Sequence, residues 1–323
     1  MSAARWVGLV LALMMASLVS VAVGAVSIPI SALWDALRHV GDTVPIMVVW
    51  SLRIPRVALA ILVGAGLGMS GAALQGTMRN PLAEPYLLGV SGGAAVGAVL
   101  GLTLGLGAAL LPLAAFAGAI VAVVAAFFVA HAAGARGDPR VLLMAGVVVG
   151  AFANAAIMVV MANADPNTVR NALWWMMGSV GDATWPQIAI LAGYVVAGGA
   201  ALIIVGRQID VLALGEDAAA SLGLDVDTAI RRVFFIASLL AAATVSAAGL
   251  VGFVGLVVPH LVRAAGVRRH RALLVGSAIT GATLVVLADL LGRVLRPPSE
   301  LPLGAVTALI GVPFFLVKLR RLV

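Results

Sequence analysis

The fold is decided by Arg79-Asn80-Pro81-Leu82-Ala83-Glu84-Pro85-Tyr86-Leu87-Leu88-Gly89-Val90-Ser91-Gly92-Gly93, a short polar break between two long apolar runs. Pro81 and Pro85 do not fit inside a regular helix, because proline lacks an N–H and its ring clashes with the preceding turn. The stretch therefore predicts that one apolar helix ends here and that a second one begins.

Glycines follow this break at a regular spacing. Gly89, Gly93, Gly97, Gly101 and Gly105 recur every four residues. On a helix this spacing places all five on nearly one face. A glycine face lets another backbone approach closely, which is typical of helix packing in lipid. The pattern predicts a tightly packed membrane helix after the break.

Composition indicates an integral membrane protein. The chain has 323 residues, of which 63% are hydrophobic and 10% are charged, and its mean hydropathy is +1.17. Soluble domains carry about 25% charged residues.

The first apolar run is too long for a signal-peptide core, so we interpret it as a retained span. We expect one all-α domain over residues 1–323 with about ten membrane helices, at 5–26, 52–76, 87–106, 110–133, 141–163, 187–206, 229–248, 251–265, 272–295 and 303–320. The eighth is short for a full crossing, and a further short helix is expected at 168–178.

Basic residues predict the orientation of these spans. If ten spans alternate from a cytoplasmic N-terminus, most of the 20 Lys and Arg residues fall on the cytoplasmic side. They are Arg5, Arg79, Arg136, Arg140, Arg207, Arg231, Arg232, Arg263, Arg268, Arg269, Arg271, Lys318, Arg320 and Arg321. Both termini are then cytoplasmic. Because the arginines lie in short loops between apolar spans, nucleic-acid binding is disfavoured.

Two motifs of enzymes occur without the structural context that they need. Residues 66–71 have the form G-x-G-x-x-G but lie inside a membrane span, so helix packing is favoured over dinucleotide binding. Residues 89–93 have the form G-x-S-x-G, but no α/β-hydrolase sheet is predicted to carry them. The only lysine, Lys318, is not in a Gly-Lys-Ser/Thr motif. We therefore expect no ATP site in this chain, and any ATP must be bound by a partner.

No cofactor or metal site is expected in the chain either. It has no cysteine, and its four histidines lack ligand-like spacing. An ion-coupled secondary transporter would place ionisable groups within the membrane. Asp289 is the one acid that the pattern buries, and Arg293 lies four residues later, so a structural ion pair is favoured over a proton relay. A secondary transporter is therefore less favoured but stays open as an alternative. An intramembrane enzyme, which would need convergent polar groups at one depth, also stays open.

Residues 80–91 also resemble a family signature. Asn-Pro-Leu-Ala-Glu-Pro followed by Leu-Gly-Val-Ser is similar to the hallmark of permeases of ABC importers for iron chelates, haem and vitamin B12, the FecCD-type family. The resemblance continues in R-V-L-L-M-A-G-V at 140–147, L-G-E-D-A-A-A-S-L-G at 214–223 and G-F-V-G-L-V-V-P-H-L-V-R at 252–263. It covers nearly the whole chain and implies a type II importer permease, most like a bacterial haem-importer permease.

The resemblance also implies partners. Two copies of the permease form a central pathway, two ATP-binding cassette subunits hold ATP and Mg, and a periplasmic binding protein delivers substrate to the bacterial inner membrane. Haem or another iron chelate is the expected substrate, with haem slightly favoured over a ferric siderophore and cobalamin third. No residue in the sequence decides among the three.

Docking of the binding protein is implied for three arginines. Arg53 and Arg56 stand in an L-R-x-P-R run before the second span, and Arg293 precedes a proline-rich loop. In the family the matching arginines dock glutamates of the binding protein, and the planar fork of arginine suits carboxylates. Without the resemblance, these residues are interpreted as interface anchors.

Gate residues are implied at Asn80, Pro81 and Leu82, together with Asp138 and Pro139. Relatives carry small hydroxyl residues near the last two positions, so this sequence departs from the family pattern there. An ordinary turn is the alternative for Asn80. Arg170 stands in an R-x-x-x-x-W-x-x-G pattern near the outer mouth. There it attracts an anionic substrate or has a structural role, and the two are equally supported.

Coupling to the ATPase is implied for a segment at about 210–228. By itself this segment predicts a small surface helix that Gly223 ends. The matching family positions are Leu214, Gly215, Glu216, Asp217, Ala220, Ser221, Leu222 and Gly223. His260 and Arg263 are expected at the inner interface, after a kink or helix end at Pro259.

Overall fold

The computed structural model describes residues 3–24, 28–134, 138–297 and 299–319. Across these ranges the regular structure is entirely helical. The α-helices are α1 Ala3–Ala22, α2 Ile30–Leu37, α3 Thr43–Met47, α4 Ile54–Thr77, α5 Val90–Thr103, α6 Leu111–Ala132, α7 Pro139–Ala162, α8 Pro166–Met177, α9 Trp185–Leu212, α10 Glu216–Ser221, α11 Val226–Ala248, α12 Val254–Ala264, α13 His270–Val294 and α14 Leu303–Leu319. A π-helical stretch, Val48–Arg53, joins α3 to α4, and a 3₁₀ turn, Pro85–Leu88, precedes α5.

Each of the ten predicted spans coincides with a helix, and the all-α expectation is confirmed. Seven helical stretches in the described part of the chain are long and apolar enough to cross a membrane, and α5, α12 and α14 are shorter apolar helices. The short eighth span and the extra helix near 168–178 are confirmed as α12 and α8. The sequence did not predict α2 and α3. Residues 25–26 and 320, at the ends of two predicted spans, lie outside the described residues.

Helix α4 is the centre of the bundle, with α9, α11, α12 and α13 packed around it. Three glycines on α4 meet the backbone of neighbouring helices. A Cβ on Gly64 would overlap the carbonyl of Gly281 on α13, and one on Gly71 would overlap that of Gly255 on α12. Gly68 meets the Ser277 carbonyl in the same way. The helix-packing interpretation of residues 66–71 is therefore confirmed.

A second close contact joins α5 to α6. A Cβ on Gly93 would overlap the Gly118 carbonyl, and one on Gly97 would overlap the Ala114 carbonyl. The prediction of a tightly packed helix is confirmed, but the five glycines do not share one helical face. Gly89 and Gly105 lie just outside α5 with φ of +79° and +70°. Their left-handed backbone, which favours glycine, marks the two ends of the helix.

Polar contacts sort the helix ends into two groups. At one end of the bundle, the Arg79 end, three contacts join the start of α1 to the end of α12, the end of α4 to the start of α10, and the start of α13 to the end of α9. They are Arg5 Nη1 to Ala265 O at 2.6 Å, Arg79 Nη2 to Glu216 Oε1 at 3.3 Å, and His270 Nδ1 to Asp210 Oδ1 at 2.8 Å. The opposite end, the Arg56 end, joins the start of α4 to the ends of α1 and α13. This grouping agrees with the predicted alternation of spans; the cytoplasmic orientation stays a prediction.

The α4–α13 contact gives a stability test. Gly64→Val should destabilise the fold by about 1–3 kcal/mol or more, because the added side chain meets a fixed carbonyl rather than a side chain that can rotate. The matched control is Gly193→Val on α9, where a Cβ meets no atom within 4 Å. Thermal unfolding in detergent should show a clear loss for the first variant and little change for the second. Equal losses in the two variants would contradict the packing explanation.

Candidate functional site

The break between α4 and α5 is fastened to the loop that precedes α12. The Tyr86 hydroxyl accepts a hydrogen bond from the Val251 N–H (2.8 Å), and Glu84 Oε1 accepts one from the Phe253 N–H (2.8 Å). Phe253 has a φ of +68°, which is unusual for a bulky residue and is stabilised here by the carboxylate. Burial raises the pKa of the Glu84 carboxyl, although the Phe253 N–H opposes this effect. We call these four residues the latch.

The turn at Asn80 is held from two sides. Asn80 Oδ1 accepts a hydrogen bond from the Leu82 N–H (2.9 Å), which closes the turn within itself. His260 Nε2 lies 3.0 Å from the Pro81 carbonyl. Because a carbonyl oxygen can only accept, His260 is the donor. The ordinary-turn alternative thus describes the local geometry of Asn80, while the contact of Pro81 ties this turn to α12.

Gln75 extends the same connection into α4. Its buried amide nitrogen donates to the carbonyls of Gly255 and Leu256 (3.1 Å each), and its oxygen accepts from Arg263 Nη1 (2.7 Å). These carbonyls belong to the first turn of α12, whereas Arg263 lies in the last turn. One side chain of α4 therefore contacts both ends of α12. The two most distinctive runs of the sequence, 79–93 and 252–263, pack against each other.

A cavity of about 310 Å³ opens beside the latch, between α5 and α7. Small and apolar residues form most of its wall, with Ser91 and Asn154 as polar groups. Gly92 and Gly150 keep the two helices close enough to share it. A larger cavity of about 980 Å³ lies among α5, α6, α8, α9 and α11 and is lined by Trp174, Trp175, Phe116, Tyr194, Asn171 and Gln187, among others.

Arg56 lies between two carboxylates at the Arg56 end. Its Nε donates to Asp289 Oδ1 (2.9 Å), and its Nη1 and Nη2 donate to the two oxygens of Glu300 (2.9 and 2.8 Å). Asp289 also forms an ion pair with Arg293, at 3.2 Å from Nε to Oδ2. The predicted structural pair of Asp289 and Arg293 is therefore confirmed, within a larger charge cluster.

Arg53 and Arg293 point into the protein. Only 5% of Arg53 and 6% of Arg293 is exposed. Arg53 Nη1 donates to the carbonyls of Val21 and Ala22 (2.8 Å each), and Arg293 donates to those of Ser20 (3.1 Å) and Val23 (3.2 Å). The last carbonyls of a helix lack intrahelical partners, and cations stabilise them. These contacts hold the end of α1 from inside the bundle and not at the lipid interface, where the anchoring alternative would place the arginines; docking by these two arginines stays a prediction.

The comparison with known families decides the identity of this helical bundle. The sequence model of the FecCD transport family matches residues 11–321. The chain belongs to the FecCD transport family. It is therefore a membrane-spanning permease subunit of an ABC importer, and its family is a transport family rather than a catalytic one.

Curated relatives of this FecCD permease align with most of its length. It is 42% identical over 275 residues to the cobalamin import system permease of Halobacterium salinarum. That alignment covers 85% of this chain and 73% of the Halobacterium protein. It is 36% identical over 327 residues to the hemin transport system permease of Yersinia pestis, covering 97% and 94%. A solved inward-facing structure of an ABC transporter assigned to the metal-chelate type superposes with a TM-score of 0.87 at 28% identity, covering 97% and 98%.

The segment for which coupling is predicted forms a short surface helix in this FecCD permease, as expected from the sequence. Helix α10 lies between Gly215 and Gly223, whose φ values are +116° and +79°. Ala219 packs inward, whereas Leu214 and Leu222 on the two sides of the helix are each 66% exposed. Two exposed leucines beside a short acidic helix at the Arg79 end make a surface suited to a protein partner.

Asp138, Pro139 and Arg170 have local roles in the structure. The Asp138 side chain accepts a hydrogen bond from the Arg140 N–H (2.8 Å) and caps α7, with Pro139 at the first helical position. Small hydroxyl residues are also good caps, so the departure from the family pattern preserves this feature. No hydrogen bond among the described residues joins Asp138 to the Asn80 turn. Arg170 is exposed on α8, with Nη2 3.3 Å from Asn167 Oδ1, and it lines neither cavity.

Four residues at the two ends of the bundle have contacts that the sequence did not predict: Gln75, Glu84, Tyr86 and Glu300. Each is a polar side chain inside or beside an apolar span. That placement is a usable signal, because a polar group in such a position needs a partner. It does not identify the partner, since the hydrogen-bonded partners of Gln75, Glu84 and Tyr86 lie at least 165 residues away.

The latch gives a second test. Tyr86→Phe leaves the Val251 N–H without its acceptor, which should lower stability by about 1–3 kcal/mol. Thermal unfolding measures this loss, and uptake measures whether the latch affects transport. Tyr194→Phe is the matched control, because Tyr194 is the only other tyrosine and is partly exposed at the large cavity. A Tyr86 variant as stable as the control would contradict the latch.

Proposed function

We propose that two copies of this permease form the membrane pathway of an ATP-driven importer that carries haem or another iron chelate into a bacterial cell. The observation that carries the proposal is the likeness over 97% of the chain to the hemin transport permease of Yersinia pestis, together with the match to a transporter assigned to the metal-chelate type. Cobalamin is the second candidate, because the identity to the Halobacterium cobalamin permease is 42%.

ATP hydrolysis belongs, in this proposal, to two cassette subunits that hold ATP and Mg. The sequence of the permease has no Gly-Lys-Ser/Thr motif. Helix α10 and its flanking leucines, Leu214 and Leu222, supply an exposed apolar contact for those subunits. Glu216 and Asp217 add acidic groups to the same surface. His260 and Arg263 lie near this end through their bonds to Pro81 and Gln75.

The gate is proposed at Asn80, Pro81 and Leu82, with Asp138 and Pro139 at the start of α7. Leu82 is 47% exposed at the turn, and the cavity between α5 and α7 opens beside the same break. ATP binding favours one arrangement of the cassette pair, and α10 transmits that bias to the permease. The latch and the bonds of Gln75 make the break and α12 move together. Arg170 is kept as a candidate contact for an anionic substrate.

A periplasmic binding protein is proposed to dock at the opposite end through Arg56. Arg56 is the arginine of the three that contacts a surface carboxylate, that of Glu300. Arg53 and Arg293 support the docking surface from inside by fixing the end of α1 beside α4 and α13. Both termini of the permease are placed in the cytoplasm, and the protein in the cytoplasmic membrane.

Coupling is tested by removing the exposed leucines. The double variant Leu214→Ala, Leu222→Ala should weaken the permease–ATPase complex at least tenfold, because two exposed side chains lose about 1.5–3 kcal/mol each of possible burial. Copurification and substrate-stimulated ATP hydrolysis are the measurements. Leu295→Ala is the control, since Leu295 is 65% exposed at the Arg56 end. Unchanged copurification of the double variant would argue against α10 as the contact.

Function is tested by uptake in liposomes. The permease is reconstituted with its cassette subunit and a binding protein loaded with haem, a ferric siderophore or cobalamin. ATP-dependent uptake of haem or the siderophore is the expected result. Uptake of cobalamin alone would select the second candidate. Absence of ATP-dependent uptake for all three, without a stable ATPase complex, would favour the secondary-transporter alternative.

A further inference from the structure

The guanidinium of Arg56 has no unoccupied edge for another carboxylate. Nε and Nη2 face Asp289, while Nη1 and Nη2 bind both oxygens of Glu300. Only 14% of the Arg56 side chain is exposed. A planar guanidinium binds carboxylates along its edges. A partner carboxylate can therefore reach Arg56 only by displacing one of the two that are already there.

The two carboxylates differ in how firmly they are held. Asp289 is 3% exposed and also pairs with Arg293, so its removal would leave buried cations without a counter-charge. Glu300 is 44% exposed, and in the described part of the chain Arg56 is the group that hydrogen-bonds to its carboxylate. Glu300 is thus the carboxylate that can dissociate from Arg56, because water can solvate its charge after the ion pair opens.

The backbone places Glu300 opposite Arg56 independently of this ion pair. The next residue, Leu301, donates its N–H to the Gly292 carbonyl at 2.9 Å, and Leu303 donates to the Gly178 carbonyl at 3.1 Å. The segment is therefore fixed to α13 and to the end of α8, while the side chain is held by Arg56. The hydrogen bonds from Arg56 lower the pKa of the Glu300 carboxyl, so it is ionised at neutral pH.

We propose that Glu300 is a built-in competitor for Arg56, and that an acidic protein partner docks at this end by replacing the Glu300 carboxylate with its own. The inference rests on the proposed docking role of Arg56. The exchange leaves Arg56 bound to two carboxylates in the undocked and the docked state, so its donors are paired in both. Because Glu300 stabilises the undocked state, it lowers the affinity of the partner and favours its release, which a transport cycle requires after each delivery.

The first test is chemical and needs no partner. The full-length permease in detergent is treated with phenylglyoxal, which modifies accessible arginines, and the modification of Arg56 is followed by mass spectrometry. Glu300→Gln and Glu300→Asp should raise the rate at Arg56 by about three- to tenfold, the range expected when a partly exposed ion pair is lost. Glu300→Asp keeps the charge but withdraws the carboxylate by one methylene. It therefore separates loss of the contact from loss of the charge.

Asp42→Asn is the matched control, because Asp42 is exposed just before α3, on the segment that leads into α4, and removal of its charge leaves the Arg56 pair intact. An Arg56 rate that is unchanged in both Glu300 variants would overturn the proposal. So would a rate that rises equally in Asp42→Asn. Thermal unfolding of each variant, compared with the unaltered permease, separates a local opening at Arg56 from general loss of structure.

The second test measures docking, with the binding protein from the uptake assay immobilised as the probe. Glu300→Gln should tighten its affinity for the reconstituted permease by about three- to tenfold, and Asp42→Asn should leave it unchanged. Arg56→Ala separates the two levels of the argument. If Arg56→Ala weakens docking but Glu300→Gln does not tighten it, the competitor role is wrong and the docking role stands. If Arg56→Ala has no effect, docking through Arg56 is itself wrong, and the exchange falls with it.

Discussion

The bundle depends on how closely helices approach α4. Lipid offers no hydrophobic gain when two apolar helices meet, so association depends on packing at short range. Gly64, Gly68 and Gly71 allow that approach, because each presents its backbone directly to a carbonyl of α12 or α13. Helix α4 has 24 residues, which corresponds to about 36 Å of rise. A rigid rod of that length carries Arg56 at one end and Gln75 and the Asn80 turn at the other.

The two distinctive runs of the sequence form one structural unit. The break after α4 cannot continue a helix, so it exposes backbone and side-chain groups that need partners. The loop before α12 has two backbone N–H groups, at Val251 and Phe253, that need acceptors outside the loop. Glu84 and Tyr86 satisfy them. The two runs that carry the most distinctive motifs therefore satisfy each other's polar groups, although they lie far apart in the chain.

The three arginines at the Arg56 end differ in how deeply their side chains are buried and in what they contact. Arg53 and Arg293 are inside and hold the last carbonyls of α1, where a cation stabilises the end of a helix. Arg56 is the member of the cluster whose outer edge meets an exposed acid. The same residue type therefore serves as an internal anchor and as a surface contact within a few residues of sequence. The distinction follows from the partners of each side chain, which are backbone carbonyls for Arg53 and a surface carboxylate for Arg56.

The sequence by itself determined what depends on local chemistry. Apolar length located the ten spans, and proline and glycine located the break and the surface helix α10. The helix end that was one alternative at Pro259 was wrong, because Pro259 lies inside α12. The sequence missed α2 and α3, which are too short and mixed in composition to give a clear period. Only the tertiary structure decided that Arg53 and Arg293 are buried, that Glu84 and Tyr86 hold the loop before α12, and that Glu300 covers Arg56. These partners lie between 31 and 273 residues apart, and no local pattern records which distant groups the packing of α4 brings together.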